Sequence, residues 1–294
     1  MSDEVTLVTG ASGFLGKAVM KLLVEQKKHA IGLDPRSSAT TQVVDDLSDR
    51  LKLTKLLAGE RVTHIIHAGG VSGPMVLADD PVKVITINVL GSLNLLYAAM
   101  GTGVRTFVYC SSAAALGSFY ENEPVGEDYP MRPNNTYSAS KAAMEMVLRG
   151  LWGKIFLDLC SLRFTVIYGP GRETTFTVEE IVGAALAGKA ARIQPMTDWP
   201  YIYIDDAARA AVQACYAKGR KQLRYFIAHP EKVTPEDIAA AAAAAGKPVR
   251  IEIDSSKLSA ARGPLDIEPA ARDFGFRAQV DLREGVRRLI EAAR

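Results

Sequence analysis

Tyr137 and Lys141 stand four residues apart in Tyr137-Ser138-Ala139-Ser140-Lys141. On a helix that spacing projects both side chains from one face. A phenol is a poor base at its ordinary pKa of about 10. A neighbouring ammonium favours the phenolate and brings that value toward working pH. Ser112 lies 25 residues before Tyr137, in Cys110-Ser111-Ser112 at the end of an apolar run. There its hydroxyl can hold a substrate oxygen beside the phenol. The chemistry of such a trio is proton transfer at a carbon–oxygen centre. By itself a Tyr-x-x-x-Lys pair is also a common surface arrangement, so its meaning depends on what accompanies it.

The companion is Thr9-Gly10-Ala11-Ser12-Gly13-Phe14-Leu15-Gly16, a G-x-x-G-x-x-G loop. Gly10 permits a tight turn, Gly13 lets backbone approach a pyrophosphate, and Gly16 lets helix and strand pack closely. The helix that follows presents unpaired N–H groups to the anion. The loop follows a strand pattern and opens a helix, the context that makes it a dinucleotide site. Asp34 comes 24 residues after Gly10. Its carboxylate can accept hydrogen bonds from ribose hydroxyls and would repel a 2′-phosphate. Arg36 could instead receive that phosphate, but the charge argument favours NAD over NADP.

These groups need a scaffold. Val5–Thr9, Ala30–Leu33, Val62–His67, Thr106–Cys110 and Leu159–Ile167 read as strands. Phe14–Gln26, Val82–Met100 and Tyr137–Trp152 read as helices. Near-continuous apolar strands alternating with helices predict an α/β fold: a doubly wound, Rossmann-like parallel sheet covered on both faces. After Gly169-Pro170-Gly171 the pattern changes. A helix over Val178–Gly188, a polar Pro-broken loop to residue 200, a strand Tyr201–Ile204 and a helix Asp206–Lys218 follow. Thr234-Pro235-Glu236-Asp237 is a helix start, and the alanines at 239–245 continue it to Gly246. The expected domains are 1–170 for the dinucleotide, with 201–220 returning to it, and a smaller C-terminal α/β substrate-binding lobe of 171–200 and 221–294.

Composition narrows the function. The 294 residues carry 35 Lys+Arg against 33 Asp+Glu, a net charge of +2, which gives no reason to expect a nucleic-acid partner. No apolar run reaches the roughly 18–20 residues of a bilayer span. The start, Met1-Ser2-Asp3-Glu4, lacks the basic and apolar stretches of a signal peptide. Cys110, Cys160 and Cys215 are odd in number and widely spaced, as reduced thiols of a cytoplasmic protein would be. His64 and His67 lack metal-ligand spacing, and no metal is expected.

With these motifs the chain resembles the extended short-chain dehydrogenase/reductases, the NAD-dependent epimerase/dehydratase family, over nearly its whole length. Thr9–Gly16 is similar to the family's TGxxGFLG loop. Asp46-Leu47 resembles its adenine-facing pair, and His67-Ala68-Gly69-Gly70 its H-L-A-A segment. Asn88-Val89-Leu90-Gly91 matches the N-V-x-G helix, and Ser112, Tyr137 and Lys141 match the catalytic trio. Arg163 through Tyr168-Gly169-Pro170-Gly171 resembles the R…YGPG segment, Tyr203–Asp206 the V-H-V-D-D strand, and Asp266–Phe276 the C-terminal helix. The resemblance implies Tyr137 as general acid/base, Lys141 on the nicotinamide ribose, Ser112 on the reacting oxygen and the peptide at Tyr168 beside the nicotinamide. Asn88 would pin the sheet near the cofactor. It also implies a homodimer through helices 82–100 and 137–152.

Departures from the family pattern bear on the reaction. Ala113-Ala114 replace the Asp-Glu that performs elimination in the 4,6-dehydratases. Val166 replaces an Asn of the nucleotide-sugar 4-epimerases, and Trp199 stands near the position of their pyrophosphate-binding Arg. The leading expectation is therefore an NAD-dependent dehydrogenase of a small sugar, sugar acid or polyol. The alternatives are a sugar or nucleotide-sugar epimerase with tightly bound NAD, and a non-catalytic NAD-sensing protein. Arg172 and Trp199 are further candidates for substrate contact.

Overall fold

The computed structural model describes residues 4–119, 121–194, 199–254 and 263–293. The first three residues, used in the sequence reading, lie outside them, as do residues 195–198 of the polar loop. The chain builds β1 (Val5–Thr9), α1 (Phe14–Glu25), β2 (His29–Asp34), β3 (Val43–Val44), α2 (Arg50–Gly59), β4 (His64–His67) and α3 (Pro81–Ile85). A π-helical stretch, Thr86–Gly91, joins α3 to α4 (Ser92–Met100). Then come β5 (Thr106–Ser112), α5 (Thr136–Leu151), β6 (Asp158–Phe164), β7 (Val166–Tyr168), α6 (Thr177–Ala187) and β8 (Ala191–Ile193). The C-terminal part holds β9 (Trp199–Tyr203), α7 (Ile204–Tyr216), β10 (Arg224–Ile227), β11 (Lys232–Val233), α8 (Pro235–Ala244), β12 (Ile251–Ile253), α9 (Glu268–Phe274) and α10 (Leu282–Ala292).

Seven strands form one parallel sheet in the order β10-β6-β5-β4-β1-β2-β3. Helices cover both faces, so β1 and β4 are buried at every residue. One side of the sheet packs Val8, Ile66 and Val108 against α1 and α7; the other packs Leu7, Ile65 and Phe107 beneath α4 and α5. From β1 the chain winds outward through β2 to β3, then returns to β4 and winds the other way. The strand order therefore reverses between β1 and β4, and a crevice opens at their carboxyl ends.

Three expectations are corrected. The run Leu159–Ile167 is two strands: β6 stays in the main sheet, and β7 leaves it after Thr165 to pair with β9. A continuous apolar run carries no mark of a change of sheet. Residues 224–227, assigned to the small lobe, form the edge strand of the main sheet, paired with β6. The strand over 201–204 does not return to the main sheet; β9 sits in a three-stranded sheet with β7 and β11, and α7 makes the return by packing on α1. The small lobe closes around Val178, Ile181, Ile238, Val286 and Ile290. Its α8 begins as read, with Thr234 capping Asp237 and Asp237 reciprocating.

The helical stretch Pro81–Met100 is 20 residues long with a mean hydropathy of 1.5, long and apolar enough to cross a membrane by length and composition, unlike the sequence reading. In the fold 44% of its most apolar 18 residues are buried. Leu95 and Leu96 face the core, and the stretch packs on α2 and α5.

A side chain at Gly16 would collide with the carbonyl oxygen of Gly10, a backbone atom that cannot rotate away. Gly16→Ala should therefore cost about 1–3 kcal/mol, read as a lowered midpoint in urea unfolding. An unchanged midpoint would contradict the packing of α1 on this loop.

Candidate active site

A cleft of about 1040 Å³ occupies the crevice. At its floor Gly10 takes φ +71°, and a Cβ there would come within 2.7 Å of the Ala68 and Gly69 backbone. The loop closes with Gly13 N–H donating to Gly10 O at 2.8 Å, and Gly13 caps α1. Phe14, Leu15 and Gly16 line the cleft with this backbone, and Ala68, Gly69 and Gly70 form the facing wall. The close approach leaves the amino end of α1 open to an anion, the fit a pyrophosphate requires.

Asp34 ends β2 and lines the same cleft. Its Oδ2 accepts from Ser12 N–H at 3.2 Å and its Oδ1 from Arg36 N–H at 2.8 Å. Arg36 also lines the cleft, but its guanidinium is committed to carboxylates, 3.2 Å from Glu173 and 3.8 Å from Asp34. A charge so engaged favours ribose hydroxyls over a 2′-phosphate. Asp46 and Leu47 line the cleft further along. The Leu47 and Ser48 carbonyls each accept from Asn94 Nδ2 at 2.9 Å.

At the opposite end stand Ser112, Tyr137 and Lys141. The N-terminus of α5 is fixed by a capping box between Asn135 and Ser138, which orients Tyr137 on the first turn. The phenol stands beside Ser112 and the Gly73 N–H, both of which favour its charged form, and the Ser112 hydroxyl accepts from Ala114 N–H at 3.2 Å. Lys141 is buried and donates from Nζ to Cys110 O at 3.0 Å. Its Nζ is 6.0 Å from the Tyr137 ring centre. Burial pushes Tyr137 up from the ordinary phenol range; Ser112, the Arg172 charge and the Gly73 N–H oppose it. The expected depression of the phenol by Lys141 is thus not met, because that ammonium is drawn to the end of β5. Burial lowers Lys141 itself to about 8, against the opposing influence of Cys110 and Glu145.

Arg172 lines the cleft near Tyr137. Its Nε donates to Thr174 O at 2.9 Å, Nη1 donates to Ile167 O, and its plane sits 4.4 Å from the Phe176 ring centre. Those contacts fix the guanidinium in one orientation.

Five predicted residues point elsewhere. The Ser12 hydroxyl joins Arg36 O, Ser38 and Thr41 in the loop beneath Asp34. His67 is enclosed between Thr9 Oγ1 at 2.6 Å and Ser92 Oγ at 2.7 Å, and burial lowers it to about 3. Asn88 acts as a pin: its Oδ1 accepts from Val71 N–H at 2.7 Å, and its Nδ2 donates to Ser140 Oγ at 2.9 Å. Tyr168 turns into the small lobe, against Gly285 and the ring of Tyr203. The cleft is bordered instead by Phe164 to Ile167. Trp199 packs with Phe119 and Leu116 in an apolar cluster. Alternation in a strand assigns a face but not what lies there, so a strand-end residue such as Tyr168 is readable only with its partner sheet in view.

Sequence reading missed Asn94, the Val71–Gly73 backbone and the π-turn. The π-turn places Thr86, Ile87, Leu90 and Gly91 along the cleft. Such a turn has no simple sequence mark, although it is frequent at functional sites.

The sequence pattern of the NAD dependent epimerase/dehydratase family matches residues 6–228. The UDP-glucose 4-epimerase of Mycolicibacterium smegmatis is 30% identical, over 97% of both chains. The dTDP-glucose 4,6-dehydratase of Streptomyces antibioticus is 27% identical, over 97% of this chain and 91% of its own. The crystal structure of Thermus thermophilus UDP-glucose 4-epimerase complexed with NAD superposes with a TM-score of 0.84 at 27% identity, covering 98% of each chain.

Lys141 yields a stability prediction. Folding lowers it to about 8, from about 10.4 in an unfolded chain. Between those values the unfolded chain binds more protons, so the residue's cost to stability is full below pH 8 and disappears as pH rises. The unfolding free energy of the wild type minus that of Lys141→Met should therefore increase by about 2 kcal/mol from pH 8 to 10. Urea titrations at four pH values test this; a flat difference would refute the buried-ammonium assignment.

Proposed function

The chain belongs to the NAD dependent epimerase/dehydratase family, the extended short-chain dehydrogenase/reductases, and from that premise we propose that it is an NAD-dependent oxidoreductase of a secondary alcohol or its carbonyl on a small hydroxylated substrate. The observation that carries this reading is the placement of the Tyr137 phenol beside Ser112 at the end of the glycine-walled cleft.

The residues present fit the dinucleotide. The Gly10–Gly16 backbone and the start of α1 would hold the pyrophosphate, Asp34 the adenine ribose and Asp46-Leu47 the adenine. Bound there, NAD supplies the hydride acceptor or donor. Lys141 would bind the second ribose, and Ser112 would hold the substrate oxygen. In oxidation Tyr137 takes the hydroxyl proton as the carbonyl forms; in reduction it returns one to the alkoxide. The phenol, held above its ordinary range by partial burial, suits the acid role.

Substrate class follows from charge. Among the described residues the cations lining the cleft are Arg36, Lys141 and Arg172. Arg36 is paired with carboxylates, and Lys141, which donates to the Cys110 carbonyl, is assigned to the ribose. Arg172, held through Nε and Nη1 by the Thr174 and Ile167 carbonyls, has Nη2 to offer one carboxylate of a sugar acid rather than a diphosphate. Trp199, packed into its apolar cluster, offers no replacement for a pyrophosphate-binding arginine. Ala113 and Ala114 carry no carboxylate for an elimination. A second reading, an epimerase whose NAD stays bound and cycles, is favoured by the near full-length similarity to the M. smegmatis UDP-glucose 4-epimerase.

Purified protein with NAD or NADP, a panel of sugars, aldonates, uronates and polyols, and the absorbance of reduced nicotinamide separate the readings. Net NADH with an acidic sugar is the expected result, with Tyr137→Phe reducing turnover by at least about 100-fold while NAD binding persists. Interconversion of a UDP-sugar without net NADH would replace this reading with the epimerase.

Pairing belongs to the same proposal. Val82, Tyr97 and Met100 on the 81–100 stretch, and Met146 on α5, are exposed apolar side chains of neighbouring helices. They suit a homodimer interface, and the buried free cysteines suit a cytoplasmic, reducing setting. Sedimentation equilibrium should give a dimer that Tyr97→Glu/Met146→Glu converts to monomer; a wild-type monomer would remove the claim.

A further inference from the structure

Tyr137, Lys141 and Glu145 form one stripe on α5, each four residues after the last. Glu145 is fully buried. It accepts from Ser111 Oγ at 2.6 Å, from Arg163 Nε at 2.9 and 3.1 Å, and from Arg163 Nη2 at 2.6 Å. Arg163 is fully buried too, and its Nη1 donates to Glu127 O at 2.9 Å. Ser111 and Arg163 are register partners on β5 and β6. One carboxylate therefore ties α5 to the carboxyl ends of two strands. One of its partners, Ser111, is chain neighbour to Ser112 and to Cys110, whose carbonyl holds Lys141. Two successive turns of α5 are thus bonded to two successive residues of β5, Cys110 and Ser111, next to Ser112.

We propose that Glu145 is a positioning residue: through Ser111 and Arg163 it sets the distance between Ser112 and the Tyr137–Lys141 face, and its carboxylate is the negative group one helical turn from Lys141. The inference rests on the oxidoreductase reading for its meaning, but not for its test.

Geometry supports both parts. A rigid bidentate pair fixes the helix in rotation and along its axis at once. Misplacement of a reacting group by about 1 Å is enough to cost on the order of 100-fold in rate. The surroundings of Lys141 supply little else that is negative. Cys110 and Tyr109 face it from β5, His67 from β4, and Tyr137 and Glu145 from its own helix. Glu145 is itself faced by Arg163 from β6, by Arg224 Nη1 at 3.9 Å from β10, and by Tyr109 from β5. Burial and Glu145 pull the ammonium in opposite directions.

Two readouts test this on the full-length, NAD-loaded protein. The first is Lys141 itself, followed by 13Cε NMR against Lys141→Met. Glu145→Gln removes the negative charge and leaves Arg163 unpaired, so the Lys141 midpoint should fall by about one pH unit or more. Glu145→Asp keeps the charge and loses the reach, so the midpoint should hold while kcat falls. The second readout is the rate: Glu145→Gln should lower kcat about 10- to 100-fold with NAD affinity unchanged and the pH profile displaced. Should Glu145→Gln fail to fold, Ser111→Ala leaves the ion pair intact and removes one tie, and should lower kcat several-fold. An unmoved Lys141 midpoint together with wild-type kcat in Ser111→Ala overturns the proposal. Because the NMR midpoint needs no turnover, it reads Glu145 even if no panel substrate is oxidised, an outcome that counts against the oxidoreductase reading alone.

Discussion

The constraint on which the site depends is the near contact of three backbones where the strand order reverses. Gly10 turns at the end of β1, Ala68-Gly69 follow β4, and Gly16 on α1 sits against the Gly10 carbonyl. No Cβ fits at Gly10 or Gly16. The benefit is a wall of bare peptide groups at the amino end of a helix, a surface that can lie closer to a pyrophosphate than any side chain would allow. The cleft's length follows from the same point. β2 delivers Asp34 to one end, β5 delivers Ser112 to the other, and the parallel ladder fixes the spacing between them.

At the far end the controlling quantity is the competition between burial and charge. Tyr137 and Lys141 are both shifted toward their neutral forms by removal from water. A site in that state holds its proton on the phenol and its lysine near the point of half-charge. Ser112, Arg172 and Glu145 act against the two shifts. Of these three only Glu145 lies outside the cleft lining, and the folded state bears a cost for keeping Tyr137 and Lys141 out of water.

The parts legible in the sequence were those governed by local rules. The glycine loop, Asp34 at the end of β2, the capping box of α8 and the helical spacing of Tyr137 and Lys141 all depend on neighbours within a few residues. The strands of the main sheet were readable as apolar runs because both faces are covered. Illegible were features decided at long range. Leu159–Ile167 divides because β9 competes for its second half. Tyr168 faces Gly285 across more than a hundred residues. His67 and Asn88 were found as motif residues, but their partners, Ser92 and Ser140, were not. Lys141 was placed on the correct face, yet its ammonium follows a carbonyl on β5 that no spacing rule reveals.

The mouth of the cleft bears on the difference between a dehydrogenase and an epimerase. An epimerase retains its dinucleotide through many turnovers, whereas a dehydrogenase must exchange oxidised for reduced cofactor each time. Here Arg36, from the loop after β2, meets Glu173, from the loop after β7, across that mouth. Their side chains are 57% and 65% exposed. A pair so hydrated contributes about 0–1 kcal/mol and weakens with salt. A clasp of that strength orders the two loops and would oppose exchange of a dinucleotide by no more than that amount. The tighter hydrogen bonds lie below it, where the Asp34 carboxylate and the loop hydroxyls join protein groups to one another.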